Sequence, residues 1–516
     1  MSDAYFVTTP IYYVNGAPHI GHAYTSIAAD VLARFNRLEG KRVHFLTGTD
    51  EHGQKVEKAA QQAGLTAQAF VDQIAGDFRA VAETLNISFD DFIRTSEPRH
   101  VKACEALWTR LEAGGHIYLG SYDGWYSIRD EAFFGEDELE RQADGSLIAP
   151  SGATVEWVSE PSYFFRLSAW GERLLELYDK SPDFIGPAAK RNEVVSFVRS
   201  GLKDLSISRT SFTWGVAVPG DPSHVMYVWF DALANYLSAL GWPDGEAQAG
   251  SDFAVFWPAD LHLVGKEIAR FHAVYWPAFL MAAGLAIPRR VFSHGWWTVE
   301  GEKISKSLGN GVDPRDLVAR YGLDPVRFFL LREVPFGKDG DFSERALVSR
   351  MNVELANDLG NLVQRSLSLI SRNLDGRLPE QGKRSAEDAE LLAASESLPA
   401  IVSSLLARQA FGDALEEIWK VVRMANGYVD RQAPWALRKT DPARMADVLR
   451  VLVDALRTVG VTLWPFMPSA IGRLLDQLGV SPEARSFADL DEPLQAGLTL
   501  PPPQAIFPRF VVEDAR

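Results

Sequence analysis

A chain of 516 residues exceeds what one hydrophobic core organises, so two to four domains are expected. With 47% apolar and 23% charged residues the composition is that of an ordinary globular protein, and no apolar run approaches membrane-spanning length. The opening, Met1-Ser2-Asp3-Ala4, lacks a basic or Arg-rich leader, so a cytoplasmic location without a membrane partner is expected. A net charge of −16 argues against indiscriminate nucleic-acid binding and against DNA, while leaving room for a local basic face. The single cysteine, Cys104, excludes a disulfide framework and a cysteine-based zinc site, and packing within a helical run over 98–113 is its expected role.

Residues 1–115 alternate strand-like and helix-like runs. Tyr5-Phe6-Val7 is aromatic and β-branched and reads as a buried strand. Asn15-Gly16 marks a turn and Pro18 suits a helix start, so a helix begins near His19 and continues to Leu38. His19 and His22 then share one face of its first turn, where free N–H groups and the positive dipole end favour an anion. Gly21 removes a side chain where a flat ring could lie against the backbone. Together these features make a triphosphate and adenine site. A second strand, Arg42 to Thr47, ends in Gly48-Thr49-Asp50-Glu51-His52-Gly53, and ligands of open α/β sheets bind at such strand ends. Helices over 66–85 and 99–113 complete half of a doubly wound domain.

From 116 to 226 short strand-like pieces (122–128, 147–148, 154–158) alternate with glycine and acid clusters, followed by Tyr163 to Leu167 and a helix over 169–179. This stretch reads as an insertion that splits the sheet. Residues 227–296 return to the α/β pattern: a helical run to Leu240, strands at 253–256, 262–265 and 290–294, and a helix over 266–283. Lys303-Ile304-Ser305-Lys306-Ser307 follows, bounded by Gly301 and Gly309-Asn310-Gly311, in a loop able to close on a ligand. Its lysines can neutralise phosphate oxygens as charge builds on a leaving group. A short helix over 314–321 and the run 324–334 come next. From about 349 the chain reads as helices alone (351–373, 386–406, 410–430, 442–463, 468–478), a bundle with an extended tail from Gly497.

His19-Ile20-Gly21-His22 and Lys303-Ile304-Ser305-Lys306-Ser307, in this order and a catalytic-domain length apart, are similar to the two signatures of the class I aminoacyl-tRNA synthetases, with Ile304 where the family usually has Met. The stretch 116–226 is too short for the editing insertion of the isoleucine, valine and leucine enzymes. Along nearly its whole length the chain resembles the methionyl-tRNA synthetases. That resemblance implies a Rossmann-type doubly wound parallel sheet (1–115 and 227–296) split by a connective insertion (116–226), then a stem-contact region (297–348) and a C-terminal α-helical bundle with its tail (349–516). It implies two reactions: L-methionine and ATP form methionyl-adenylate and pyrophosphate, and the methionyl group passes to the terminal adenosine of tRNA(Met), initiator tRNA included.

The same resemblance carries the site residues. His19, Gly21, His22, Gly265, Glu267, Lys303 and Lys306 match ATP-binding positions, with His19, His22, Lys303 and Lys306 catalytic. Ile11, Tyr13, Asp50, Trp229, Ala232, Leu233, Tyr236, Ile268 and His272 match the methionine pocket. Asp50 is the acid for the ammonium group, and Leu233 stands where other members have proline. On spacing alone 229, 232, 233 and 236 form an ordinary core stripe; a thioether also gains from such rings. Asn361, Arg365 and Trp435 match anticodon-reading positions. Mg²⁺ is expected with ATP. Several methionine enzymes hold zinc in a cysteine knuckle of the insertion, but residues 125–160 contain neither Cys nor His, so no zinc is expected. The chain ends without space for an added oligonucleotide-binding domain, so a monomer is expected. Two alternatives stay open at this point: another class I nucleotidyl-transferring enzyme, and a catalytically silent tRNA-binding paralogue.

Overall fold

The computed structural model describes residues 3–14, 16–130, 132–142, 144–299, 302–303 and 312–511. At its centre is a seven-stranded sheet whose pairings are all parallel. Its strands are β1 (Ala4–Thr8), β2 (Tyr12–Tyr13), β3 (Arg42–Asp50), β4 (Asp91–Arg94), β5 (Ile185–Gly186), β6 (Leu261–Gly265) and β7 (Val291–His294). They run in the order β5-β7-β6-β1-β3-β2, and β4 also pairs with β3. The chain leaves β1 toward β3 on one side and returns to β6 on the other, so a crevice opens at the carboxyl ends of β1 and β6.

Alternation along the strands sends side chains to two cores. Val7, Phe45 and Leu263 enter one; Phe6, Leu46 and Val264, their chain neighbours, enter the other. The first core continues without a break into the C-terminal helices as far as Phe507. The helix Ile20–Leu38 lies between sheet and bundle, which is why residues on nearly every side of it, from Ala23 and Ile27 to Ser26 and Asn36, are buried.

Within 116–226, Ile117–Ser127 and Glu156–Phe165 form a long antiparallel pair in register from Ile117↔Phe165 to Tyr126↔Glu156. This pair is longer than the pieces read from the sequence, and aromatic rings meet across it, Tyr118 with Phe164 and Trp125 with Trp157. The stretch does not stand wholly apart from the main sheet, since β5 pairs with β7 at its edge. Two other expectations are corrected. Phe253–Phe256 is not a strand but part of the helix Asp252–Phe256, capped by Ser251, whose Oγ accepts from the Ala254 N–H at 3.1 Å. The run 266–283 is not one regular helix. It turns at Lys266-Glu267, begins to coil at Ala269, passes through a π-helical segment, Phe271–Tyr275, and becomes α-helical over Trp276–Ala282. Pro277 has no N–H for the Ala273 carbonyl four residues back. The Tyr178 hydroxyl donates to that oxygen instead, at 2.7 Å.

The run expected as one helix over 386–406 is broken at Ser397 into Ala386–Glu396 and Leu398–Leu406, the second with Pro399 in its first turn. By length and composition, and contrary to the reading above, Ala386–Leu406 passes for a membrane span; in the fold it buries Leu391, Leu392, Leu398, Val402 and Leu406 in the bundle.

Candidate active site

His19 caps the Ile20–Leu38 helix. Its backbone is extended, and its Nδ1 accepts from the Gly21 N–H at 3.1 Å. His22 reciprocates: its Nδ1 accepts from the His19 N–H at 3.1 Å. A backbone N–H can only donate, so both Nδ1 atoms are acceptors. Burial lowers the pKa of both imidazoles, with Glu267 opposing the shift at His19 and His19 adding to it at His22. Both rings are therefore neutral at pH 7 and carry their proton on Nε2, which leaves each a donor for an anion at the helix start. The rings lie 3.9 Å apart at 35°, and His22 is wedged against Tyr12 and Phe78. The ring for which Gly21 makes room is that of His19 itself: a Cβ at position 21 would stand 2.9 Å from His19 Cε1.

A second feature is an aromatic cluster. Trp229, on the short helix Val228–Leu233, stacks on Phe271 at 3.7 Å and 7°. Tyr236, on the next turn, lies over His262 at 4.1 Å. His272 Nδ1 donates to the Ile268 carbonyl at 3.0 Å, so its Nε2 accepts from the Tyr236 hydroxyl at 2.7 Å. Burial brings the His272 pKa down to about 4, the Ile268 bond opposing it in part, so this ring too is neutral at pH 7. The π-helical turn that carries His272 is a common device for aiming a functional side chain. Leu233 and Tyr236 belong to the second core, and Ile11, Tyr13, Trp229 and Ile268 lie half-buried against it. Ala232 is buried on the same short helix. Asp50 is buried at the end of β3, in register with Tyr13.

Gly265 ends β6, and Glu267 stands exposed in the following turn, its Oε2 accepting from the Trp296 indole at 2.6 Å. A side chain at Gly265 would meet the Glu267 carboxylate at 2.4 Å. The backbone of Lys303 pairs with Thr298 in a small hairpin. The Lys303 side chain and the whole of Lys306 lie outside the described residues. In the bundle, Asn361 opens the helix Asn361–Asn373, and Arg365, one turn on, bonds Asp430 at 2.7 Å. The Arg365 guanidinium lies 5.4 Å from the centre of the Trp435 ring, which is 49% exposed.

The family model described as tRNA synthetases class I (M) matches residues 5–367, and the anticodon binding domain of methionyl tRNA ligase matches residues 378–516. The chain belongs to the methionyl-tRNA synthetase family. It is 55% identical over 513 residues to the methionine–tRNA ligase of Brucella suis, and 52% identical over 510 residues to that of Mycobacterium bovis; these matches cover 99% and 98% of both chains, respectively. The structure of the Mycobacterium tuberculosis methionyl-tRNA synthetase in complex with methionyl-adenylate shares 52% identity, with a TM-score of 0.95 over 99% of this chain and 100% of that one. The apo form of the Mycobacterium tuberculosis enzyme matches with a TM-score of 0.89 and 48% identity over 99% of each chain. As a methionyl-tRNA synthetase the chain is an ATP-dependent aminoacyl-tRNA synthetase for methionine. Full-length matches of this kind give no support to a different nucleotidyl transferase or to a silent paralogue.

Within this synthetase the fold brings together residues that neither signature indicates. Asp231, fully buried beside Trp229, accepts from His52 Nδ1 at 2.6 Å through one oxygen and from His100 Nε2 at 2.6 Å through the other. Cys104, expected only to pack, also places its sulfur 3.2 Å from His100 Nε2 and 3.7 Å from Asp231 Oδ1. Burial and the Asp231 charge raise its thiol pKa well above the usual value, so it stays protonated and unreactive. His100, Cys104 and Asp231 could be taken for metal ligands. The 2.6 Å between His100 nitrogen and Asp231 oxygen is a hydrogen-bond distance; two ligand atoms on a tetrahedral zinc stand about 3.3 Å apart. The sequence signal was the spacing of His100 and Cys104 on one helix face, but nothing along the chain joins residue 52 to residue 231.

Proposed function

We propose that this synthetase forms methionyl-adenylate by positioning and charge stabilisation alone, with the residue roles that follow. Asp50 holds the substrate ammonium, while Ile11, Tyr13, Trp229, Ala232, Leu233, Tyr236, Ile268 and His272 surround the thioether. His19 and His22 donate from Nε2 to the phosphates at the helix start beside Gly21, and Gly265 and Glu267 face the ribose. The methionine carboxylate attacks the α-phosphorus, the bond to the β-phosphate oxygen breaks, and Lys303 and Lys306 take up the charge on departing pyrophosphate. No side chain acts as a nucleophile. A ribose hydroxyl of the terminal adenosine of tRNA(Met), initiator tRNA included, then attacks the acyl carbon and loses its proton as the acyl–phosphate bond breaks and AMP leaves, while Asn361, Arg365 and Trp435 read the anticodon by base-edge contacts and stacking.

The observation that carries the pocket reading is the Tyr236–His272–Ile268 chain of hydrogen bonds within an otherwise aromatic wall. With its proton committed to His272, the Tyr236 hydroxyl has no free donor for a polar side chain, so the wall meets the thioether through ring and apolar contacts. Glu267, the acid whose charge bears on His19, is tied to Trp296. Mg²⁺, expected with ATP, would supply charge neutralisation at the phosphates. Zinc has no part in this reading, on the absence of Cys and His from residues 125–160. The division into catalytic halves 1–115 and 227–296, insertion 116–226, stem-contact region 297–348 and bundle 349–516 goes with it, as do a monomeric state and a cytoplasmic location.

The deciding experiment is amino-acid-dependent ATP–pyrophosphate exchange with each of the twenty amino acids, with and without a zinc chelator. Exchange with methionine alone, indifferent to chelation, is expected. Lys306→Ala is expected to slow exchange about 100-fold or more while methionine binding stays within about twofold. Equal losses in both would remove Lys306 from its role.

A further inference from the structure

The loop after β3 is held from three sides. Glu51, fully buried, takes Arg94 Nε at 2.6 Å, Arg94 Nη2 at 3.0 Å and the Ser96 hydroxyl at 2.5 Å, and the Trp214 indole donates to its carbonyl at 2.6 Å. His52 stands edge-on to Trp214 at 5.4 Å and reaches Asp231. Asp231 lies two residues from Trp229 and next to Ala232, on the helix that walls the aromatic pocket. Its second oxygen takes His100, whose Nδ1 meets Ser238 Oγ at 3.0 Å on the following turn, two residues beyond Tyr236. One buried carboxylate thus bridges the loop that begins at Asp50 and the helices that carry Trp229 and Tyr236.

We infer that Asp231 and His52 form a strut that sets the distance between the ammonium-binding carboxylate and the thioether pocket, and so the length of amino acid the enzyme accepts. The inference rests on the pocket roles proposed above. Asp50 and the pocket wall hang on separate elements, β3 and the Val228–Leu233 helix, which pair in no common sheet. A flexible gap between them would admit side chains of several lengths. A short, charge-assisted contact between two buried groups narrows that gap to one value. Both residues are positioning residues: they act through Asp50 and the pocket wall.

The test is steady-state pyrophosphate exchange on Asp231→Asn, His52→Gln, His52→Asn and Asp50→Ala, with methionine and with S-methylcysteine, a thioether one carbon shorter. Asp231→Asn and His52→Gln are expected to raise KM for methionine at least tenfold, leave KM for ATP within twofold, and lower the preference for methionine over S-methylcysteine at least fivefold. His52→Asn, which places an amide N–H where Nδ1 stood, is expected to recover most of that preference. If Asp231→Asn does not fold, the two His52 variants read the strut from its other end. An unchanged methionine KM in the strut variants, or equal losses for both substrates with the preference intact, overturns the strut. Should Asp50→Ala itself leave methionine KM unchanged, the pocket roles fail and the strut with them; if Asp50→Ala raises it and the strut variants do not, the strut alone fails.

Discussion

At position 21 a methyl group would stand 2.9 Å from Cε1 and 3.1 Å from Nδ1 of the His19 ring, closer than unbonded atoms tolerate. The ring must swing away, and with it the Nε2 proton aimed past the helix start. Alanine is otherwise the better helix former by about 1 kcal/mol. Gly21→Ala is therefore expected to leave the melting temperature unchanged or higher while exchange falls about tenfold or more. Unaltered exchange would show that the ring need not sit where it does. His272 makes a second prediction at this scale. Its pKa lies near 4, below the 6.5 of an unfolded histidine. The unfolded chain therefore binds the proton first as pH falls, and stability is lost between about pH 6.5 and 4 and complete above that window. Methionine KM is expected to stay level from about pH 8 to 5 and climb toward pH 4, where the ring charges and can no longer accept from Tyr236.

Among elements, the π-helical turn Phe271–Tyr275 depends on a residue almost a hundred positions earlier in the chain. Tyr178 supplies the donor that Pro277 cannot offer to Ala273. Tyr178→Phe would strand that buried carbonyl at a cost of about 1–3 kcal/mol, readable as a shift in urea midpoint with unchanged slope, and methionine KM should rise as His272 loses its seat. This turn also marks where reading along the chain stops. Both signatures lie in local sequence, and the alternation that divides Phe6 from Val7 is visible in a strand five residues long, so the sheet, the capped helix and the buried stripe of Ala232, Leu233 and Tyr236 could be anticipated. Phe253–Phe256 could not be placed by apolarity alone, since four apolar residues suit a strand or a buried helix equally; the cap at Ser251 decides it. The turn at Lys266-Glu267 and the π segment answer to Pro277 and Tyr178 jointly, and the Asp231 contacts join residues 52, 100 and 231. Such arrangements exist only in the folded chain.

Over the whole molecule, one arginine holds the parts together. Arg327, with no exposed surface, donates to Asp30 on the Ile20–Leu38 helix at 2.6 Å, to the Leu85 carbonyl at 3.0 Å, and to the Pro465 and Phe466 carbonyls at 2.9 and 3.0 Å. Asp30 also accepts from the Ser88 N–H at 2.7 Å and from Arg34 at 2.7 Å. Burial alone would raise the Asp30 pKa, but Arg327 and Arg34 more than offset it and hold it below the ordinary carboxylate range. Its contribution to stability is thus present at neutral pH and lost in acid, as pH falls through that lowered value. Arg327→Met is expected to cost about 3–5 kcal/mol, because it takes the buried partner of Asp30 away, leaves only Arg34 to balance that charge and strands three buried carbonyls, and Asp30→Asn in the same chain should return part of the loss. A destabilisation below about 1 kcal/mol would mean that water reaches Asp30 in the variant.

The four carbonyl and carboxylate oxygens around Arg327 come from segments spread over more than four hundred residues of sequence. No fragment that ends before the bundle can supply them all. A gene cut between the lysine loop and the bundle would yield a catalytic piece with half of this cage missing, and a helical piece with nothing to close it. The catalytic sheet and the anticodon binding domain are therefore tied through one buried side chain, and neither piece alone supplies its full set of partners.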